Sequence, residues 1–255
     1  MIADKSAFYW DISTAKVIRR IQAHAHRINS VAINEESTLI FTASYDRTIA
    51  IWDLRSNARE AIQILNDATD SMTSLTISGS LIISGSVDGC LRTYDIRAGK
   101  VNEDSIRDPI TCVRLTNDNK CAICTCIGGV IRLVSLSTGQ ILQEYSGGHV
   151  HESFKLESCA ANDDCHIVSC SEGHDGYFVH YNLVSGAVVS QTRTADSNST
   201  SLKSLLSVSG TKLSPALSSL CYHPSKPILL TASYDGSVKV WDCSSIQAGS
   251  RSQVS

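Results

Sequence analysis

The chain has 255 residues, 42% of them hydrophobic and 6% aromatic, with a formal net charge of −3 at pH 7. That composition excludes a disordered or collagen-like chain, and its mixed charges offer no basic face for nucleic-acid backbones. No apolar run approaches the roughly 18 residues of a membrane span, and Met1-Ile2-Ala3-Asp4 does not begin a signal peptide, so an intracellular chain is expected.

Taken in order, 4–22 opens with an Asp in a turn position, followed by the strand-like SAFYWD and the alternating VIRRIQ. Two strands are predicted there. From Arg27 to Leu65 come four short runs, INSVAIN, LIFTAS, TIAIWD and AIQIL. The middle two flank Ser44, Tyr45, Asp46 and Arg47, which predicts an antiparallel hairpin whose Asp carboxylate accepts backbone N–H bonds in the turn. The same sentence recurs as LIISGSVDGCLRTYDIR from Leu81 to Arg97 and as ILLTASYDGSVKVWD from Ile228 to Asp242.

The second repeat, Met72 to Asp104, keeps Asp88 and Tyr94-Asp95. It has Asn66 22 residues before its turn Asp, where His24 stands 22 before Asp46. Part of its polar network is therefore expected to be lost. The third repeat, Ile110 to Tyr145, has Ile127-Gly128-Gly129 in the turn and Val134-Ser135 at its close, so apolar packing alone is expected to hold it. The fourth, Phe154 to Gln191, follows Gly148-His149 and carries Asp175 in a turn lengthened by Gly173-His174. Thr192 to Ser214 is rich in Ser and Thr and is expected to be a flexible loop. The fifth repeat, Ala216 to Asp242 with Asp235 and Trp241, is expected to have three strands and no fourth, because Ser244 to Ser255 is a polar tail.

The segment ends Trp10-Asp11, Trp52-Asp53, Tyr94-Asp95, Val134-Ser135, Tyr181-Asn182 and Trp241-Asp242 lie 42, 42, 40, 47 and 60 residues apart. This is the period of a four-stranded propeller blade. An all-β fold follows, with four complete blades and partial blades at both ends.

On these residues the chain resembles the WD-repeat family, in which a Gly-His dipeptide precedes the first strand, an Asp marks the tight turn and Trp-Asp closes the third strand. The resemblance implies a seven-bladed propeller, of which about one and a half blades would lie upstream of Met1. It also implies that His24, Ser44, Asp46 and Trp52 form a buried hydrogen-bonded chain, with Asp88, His149, Asp175, Asp235 and Trp241 in the corresponding structural roles elsewhere. One alternative is a five-bladed ring closed by Val17 to Gln22. The runs INSVAINEES, SYDRTIAIWDLRS, GSVDGCLRTYDIRAGKV and YHPSKPILLTA together resemble those of the mitogen-activated protein kinase organizers. Those scaffolds hold kinase-cascade components and are found with spliceosomes, which implies protein partners in the cytoplasm and nucleus.

In an antiparallel meander the second-to-third-strand turns and the connections between blades share one rim. That rim carries His26, Arg27, Tyr45, Arg47 and Asp70, then Val87, Asp108, His151, His174 and Tyr234. Tyr and Arg most often anchor interfaces, so this rim is the expected binding face. Asp53-x-Arg55 and Asp95-x-Arg97 end consecutive repeats and resemble the pair by which some WD-repeat substrate receptors dock on the adaptor of cullin-RING ubiquitin ligases; an Arg paired with its own Asp is the plainer reading. Ser214-Pro215 fits a proline-directed kinase site, and Asn198-Ser199-Thr200 a glycosylation acceptor.

Of the ten cysteines, most fall in strand-like runs, among them Cys121, Cys124, Cys126, Cys159, Cys165 and Cys170, where reduced buried thiols are expected. A metal site at Cys121 and Cys124 lacks a second pair at finger spacing, so no metal or other cofactor is expected. No nucleophile elbow, phosphate-binding Gly loop or His-x-x-x-His helix is present, and no catalytic residue is assigned.

Overall fold

A computed structural model describes residues 5–22, 24–56, 58–153, 155–161, 164–172, 176–193, 200–202 and 216–243. Among them every regular element is a strand, and none is a helix. The chain divides into two compact units, 1–110 and 111–255.

In the first unit, β1 (Ser6–Asp11) and β2 (Lys16–Gln22) form a two-stranded sheet. β3 (Ile28–Ile33), β4 (Leu39–Ser44), β5 (Ile49–Asp53) and β6 (Gln63–Leu65) form a four-stranded meander, and β7 (Met72–Ser78), β8 (Leu81–Ser86), β9 (Cys90–Asp95) and β10 (Lys100–Ser105) form the next. The following sheets are β11 (Ile110–Leu115), β12 (Cys121–Cys126), β13 (Val130–Ser135) and β14 (Ile141–Ser146), then β15 (Ser158–Ala160), β16 (His166–Cys170), β17 (Tyr177–Asn182) and β18 (Val188–Arg193). The last sheet has the order β19 (Thr200–Leu202), β22 (Val238–Asp242), β21 (Ile228–Ser233), β20 (Leu217–Tyr222). All pairings are antiparallel.

The last sheet departs from the sequence expectation, because its fourth strand comes from inside the segment 192–214. Thr200 to Leu202 pairs with Val238 to Val240. An exposed strand edge offers a row of unpaired N–H and C=O groups that any extended backbone can satisfy, so this pairing needs no apolar signature.

Burial explains the strand sequences. In the first four complete sheets the two central strands are covered on both faces, so LIFTAS, IAIWD, LIISGS and CAICTC are buried almost throughout, whereas β21 and β22 of the last sheet are only partly covered. The fourth strands are not; KVNEDS of β10 and VVSQTR of β18 remain largely exposed. Sheets pack face to face through their first and central strands. Phe41, Ile49 and Ile51 meet Met72, Leu75 and Ile82 in the first unit, and Val168 and Phe178 meet Leu217, Leu229 and Trp241 in the second. Each such side chain contributes about 1.5–3 kcal/mol on burial, so apolar contact holds the sheets together.

A repeated bulge sits in the first strand of three sheets, between Ile28 and Ser30, Met72 and Ser74, and Leu217 and Ser219. The extra residue turns a polar side chain to a carbonyl. Asn29 donates to Met72 O at 2.6 Å, Thr73 to Gly85 O at 2.9 Å and Ser218 to Ala232 O at 3.3 Å.

Candidate interaction surface

The hairpin turns position the site, and the first shows how. Asp46 lies in the β4–β5 turn with one carboxylate oxygen accepting from Thr48 N at 3.1 Å and Thr48 Oγ1 at 2.6 Å. The other accepts from Ala25 N at 3.0 Å and faces His24 Nδ1 at 3.0 Å. Burial raises the Asp46 carboxyl, but the bonds from Thr48 and the neighbouring imidazole outweigh it and hold the group below its ordinary value. His24 Nε2 is 2.8 Å from Thr42 Oγ1, which also accepts from Trp52 Nε1 at 3.2 Å. Donation from His24 Nδ1 to Asp46 and from the Thr42 hydroxyl to Nε2 satisfies the whole chain. Ser44 contributes from the side, donating to Arg27 O at 2.9 Å. The loop before β3 is thereby fastened to the hairpin.

The second hairpin reaches the same end by another route. Arg92, 1% exposed, supplies from β9 the cation that Asn66 does not. Its guanidinium straddles Asp88 at 3.2 and 3.0 Å, donates to Ser86 Oγ at 2.8 Å and to Glu103 at 2.9 Å. Burial opposes ionisation of Asp88, yet the Arg92 and Ser86 bonds and the amides of Thr69 and Cys90 hold its carboxyl well below the carboxylate range. The expected loss of polar network in this repeat is corrected accordingly. So is the expectation of purely apolar packing in the third repeat, where Arg132 occupies the same strand position and donates to Glu144 at 2.7 Å.

In the fourth repeat Gly148-His149 has a steric reason. A Cβ on Gly148 would come within 2.6 Å of the Tyr181 hydroxyl and 2.9 Å of Val179 and Val188 side chains. His149 lies beside Tyr181 instead of a threonine, with Nδ1 2.7 Å from the phenol oxygen, and its buried Nε2 has no hydrogen-bond partner among the described residues. Gly173, His174 and Asp175 lie outside the described residues. In the last sheet Asp235 accepts from Ser237 N at 2.8 Å, and Trp241 Nε1 donates to Thr231 Oγ1 at 2.9 Å.

With these carboxylates turned inward, the outward side chains of the first turn form a compact group. Tyr45 is 49% exposed. The Arg27 guanidinium lies 4.9 Å from its ring centroid, and the His26 ring meets its edge at 5.9 Å. Lys5, His26, Arg27 and Tyr45 line a cleft of about 350 Å³. Asp70 is exposed but its carboxylate accepts from the adjacent Ser71 N at 2.6 Å. Tyr234 is half-buried, and burial raises its phenol. His151 does not belong to the rim surface, being 1% exposed beneath the turn whose Gly128 N donates to its carbonyl at 2.9 Å.

The closing acids cap the opposite turns. Asp53 accepts from Arg55 N at 2.8 Å, and Asp95 from Arg97 N at 2.9 Å and Ala98 N at 3.0 Å. Asn182 does the same for Val184 and Ser185. Arg55, with a side chain 73% exposed, lies 3.3 Å from Asp53. Arg97 has no ion pair among the described residues.

None of the ten cysteines forms a disulfide. Cys124, Cys126 and Cys170 are buried as expected of strand residues, whereas Cys165 is exposed because it precedes β16 on a bend. No cluster of three metal-ligating side chains occurs among the described residues. Ser214-Pro215 and Asn198-Ser199 lie outside the described residues.

The polar residues that sequence patterning does not single out are Arg92 and Arg132. Each stands two places before the strand's closing aromatic or aliphatic residue, with a Glu opposite on the next strand.

Repeated meanders with an inward hairpin lock and a capped closing turn define a WD-repeat β-propeller. Residues 4–172 match the β-propeller family model described as Nucleolar protein 10-like, N-terminal domain, and residues 202–242 match the WD domain, G-beta repeat. The chain is 34% identical over 271 residues to the WD repeat domain-containing protein 83 homolog of Dictyostelium discoideum, covering 94% of this chain and 76% of that one. It is 38% identical over 187 residues to WD repeat domain-containing protein 83 of Rattus norvegicus and over 186 residues to that of Homo sapiens, covering 73% of this chain and 52% of each. The chain belongs to the WD repeat domain-containing protein 83 family, and it spans about half the length of those two mammalian relatives. These names correct the narrower resemblance to the mitogen-activated protein kinase organizers, since the matching relatives are named WD repeat domain-containing protein 83.

Proposed function

We propose that the chain is a non-catalytic platform that gathers protein partners on the rim around Tyr45. One observation carries this reading: on a single turn Asp46 is consumed by the fold, while Tyr45, Arg27 and His26 face outward as a preformed aromatic and cationic group. Tyr and Arg contribute most to interface energy because they combine large contact area with directional polar ends. The reduced thiols suit the cytoplasm and nucleus.

The test is affinity capture with mass spectrometry on the full chain. Tyr45→Ala with Tyr234→Ala is expected to lower recovery of the partner set by about tenfold, the loss of one to two buried anchors. Unchanged recovery would refute the reading. Kinase-cascade components among the captured proteins would support the partner class implied by the repeat runs, and splicing proteins would move the platform to that assembly.

A second reading, a substrate receptor of a cullin-RING ligase, is favoured by one observation. Arg55 and Arg97 leave consecutive Asp-capped turns in the same way, and both are exposed. Recovery of the ligase adaptor that disappears in Arg55→Ala with Arg97→Ala would establish it; absence of the adaptor would dispose of it.

A further inference from the structure

We propose that the cleft bounded by Lys5, His26, Arg27 and Tyr45, on the turn that also carries Arg47, takes the phosphorylated side chain of a partner protein. The inference rests on the rim reading above and supplies its ligand chemistry. In a chain of net charge −3, this cleft gathers two cations, an imidazole and a phenol, with no carboxylate among its described lining residues. Asp46, next to Tyr45 on the turn, is turned away to the fold, since it already accepts from Ala25 and Thr48 and faces His24. Lys5, Arg27 and Arg47 make no ion pair among the described residues. Arg27 is held in place by stacking on Tyr45 at 4.9 Å, which orders the guanidinium without neutralising it. A phosphomonoester dianion is the ligand that fits such a set, because its oxygens accept several charge-assisted bonds at once and a planar guanidinium can meet two of them. The cleft, about 350 Å³ and open to solvent, leaves room for a phosphorylated side chain.

The second observation is independent of the cleft. Arg47 has φ +72°, in the left-handed region, and the residues at the same turn position in the other four complete sheets are Gly89, Gly129, Gly176 and Gly236, with φ between +51° and +83°. A side chain there is strained, so Arg47 holds a guanidinium where the other four turns have the unstrained residue. In the first turn what it adds is one more guanidinium on the same rim.

Bead-bound degenerate peptide libraries with a fixed phosphoserine, phosphothreonine or phosphotyrosine test the inference against matched libraries carrying the unmodified residue or glutamate. The full chain is expected to bind at least one phosphorylated library about tenfold better than either control. Arg27→Gln is expected to remove that preference with an unchanged melting temperature. Arg47→Gly is expected to weaken binding by about threefold while raising the melting temperature, a combination that misfolding does not produce. Equal binding of the glutamate library, a preference that survives Arg27→Gln, or no preference at all would overturn the inference. If phosphate preference fails while Tyr45→Ala with Tyr234→Ala still loses partners, the phosphate chemistry falls and the rim reading stands.

Discussion

Arg92→Ala is expected to destabilise the fold by about 3–5 kcal/mol, because it leaves the Asp88 carboxylate buried without its cation. The Asp88 side chain is 9% exposed and the Arg92 side chain 2%, so water cannot replace the lost partner without opening the hairpin. The Glu103 contact matters less, since that side chain is half exposed and resolvates freely. For the same reason Arg132→Ala should cost less, because its partner Glu144 is half exposed and its turn has no acid to strand. Urea denaturation of the two variants beside the parent chain measures both. A loss at Arg92 no larger than at Arg132 would show that the second hairpin is not locked through Asp88.

Acid should weaken the fourth repeat through His149. Burial, with a smaller contribution from His151, lowers its pKa from 6.5 to about 4. Between those values the unfolded chain binds a proton that the folded chain refuses, so stability from this residue is complete above about pH 6.5 and declines as the pH falls toward 4. Two pKa units are worth roughly 3 kcal/mol, the expected loss between pH 7 and pH 4.5. His149→Gln removes the titration. The difference in denaturation midpoint between pH 7 and pH 4.5 should therefore be markedly smaller in the variant than in the parent; an equal difference would mean that His149 takes up its proton while folded. Asp46 and Asp88 do not confuse this window, because carboxyl groups held low lose their contribution only at more acidic pH.

Much of the fold was legible because the propeller repeats its grammar. The hairpin acids, the closing Trp-Asp pairs and their spacing of about forty residues are local features, each with a local cause: a turn that needs a carboxylate acceptor, or a strand end that needs a cap. What escaped was set by packing. Arg92 and Arg132 sit in CLRTYD and VIRLVS, where alternation places a charged residue on a solvated face, yet both faces of these strands are covered and the guanidinium stays inside on a carboxylate. Thr200 to Leu202 joined a sheet through its backbone alone, so its polar sequence gave no notice. His151 was placed on the rim by its position between blades, and only tertiary packing buries it. The rim group at Tyr45 was legible as residue types; the stacking of Arg27 and the strained backbone of Arg47 were not.

Tyr45 and Asp46 are neighbours on one turn and are assigned opposite duties, contact with partners and maintenance of the hairpin. The most direct measurement is thermal unfolding of Tyr45→Ala beside Asp46→Ala. Asp46→Ala, which removes the acceptor for Ala25, Thr48 and His24, is expected to lower the melting temperature by roughly 5 °C, whereas Tyr45→Ala should leave it within about 1 °C of the parent. A Tyr45 variant that melts as early as the Asp46 variant would place the tyrosine in the fold and contradict its assignment to the binding surface.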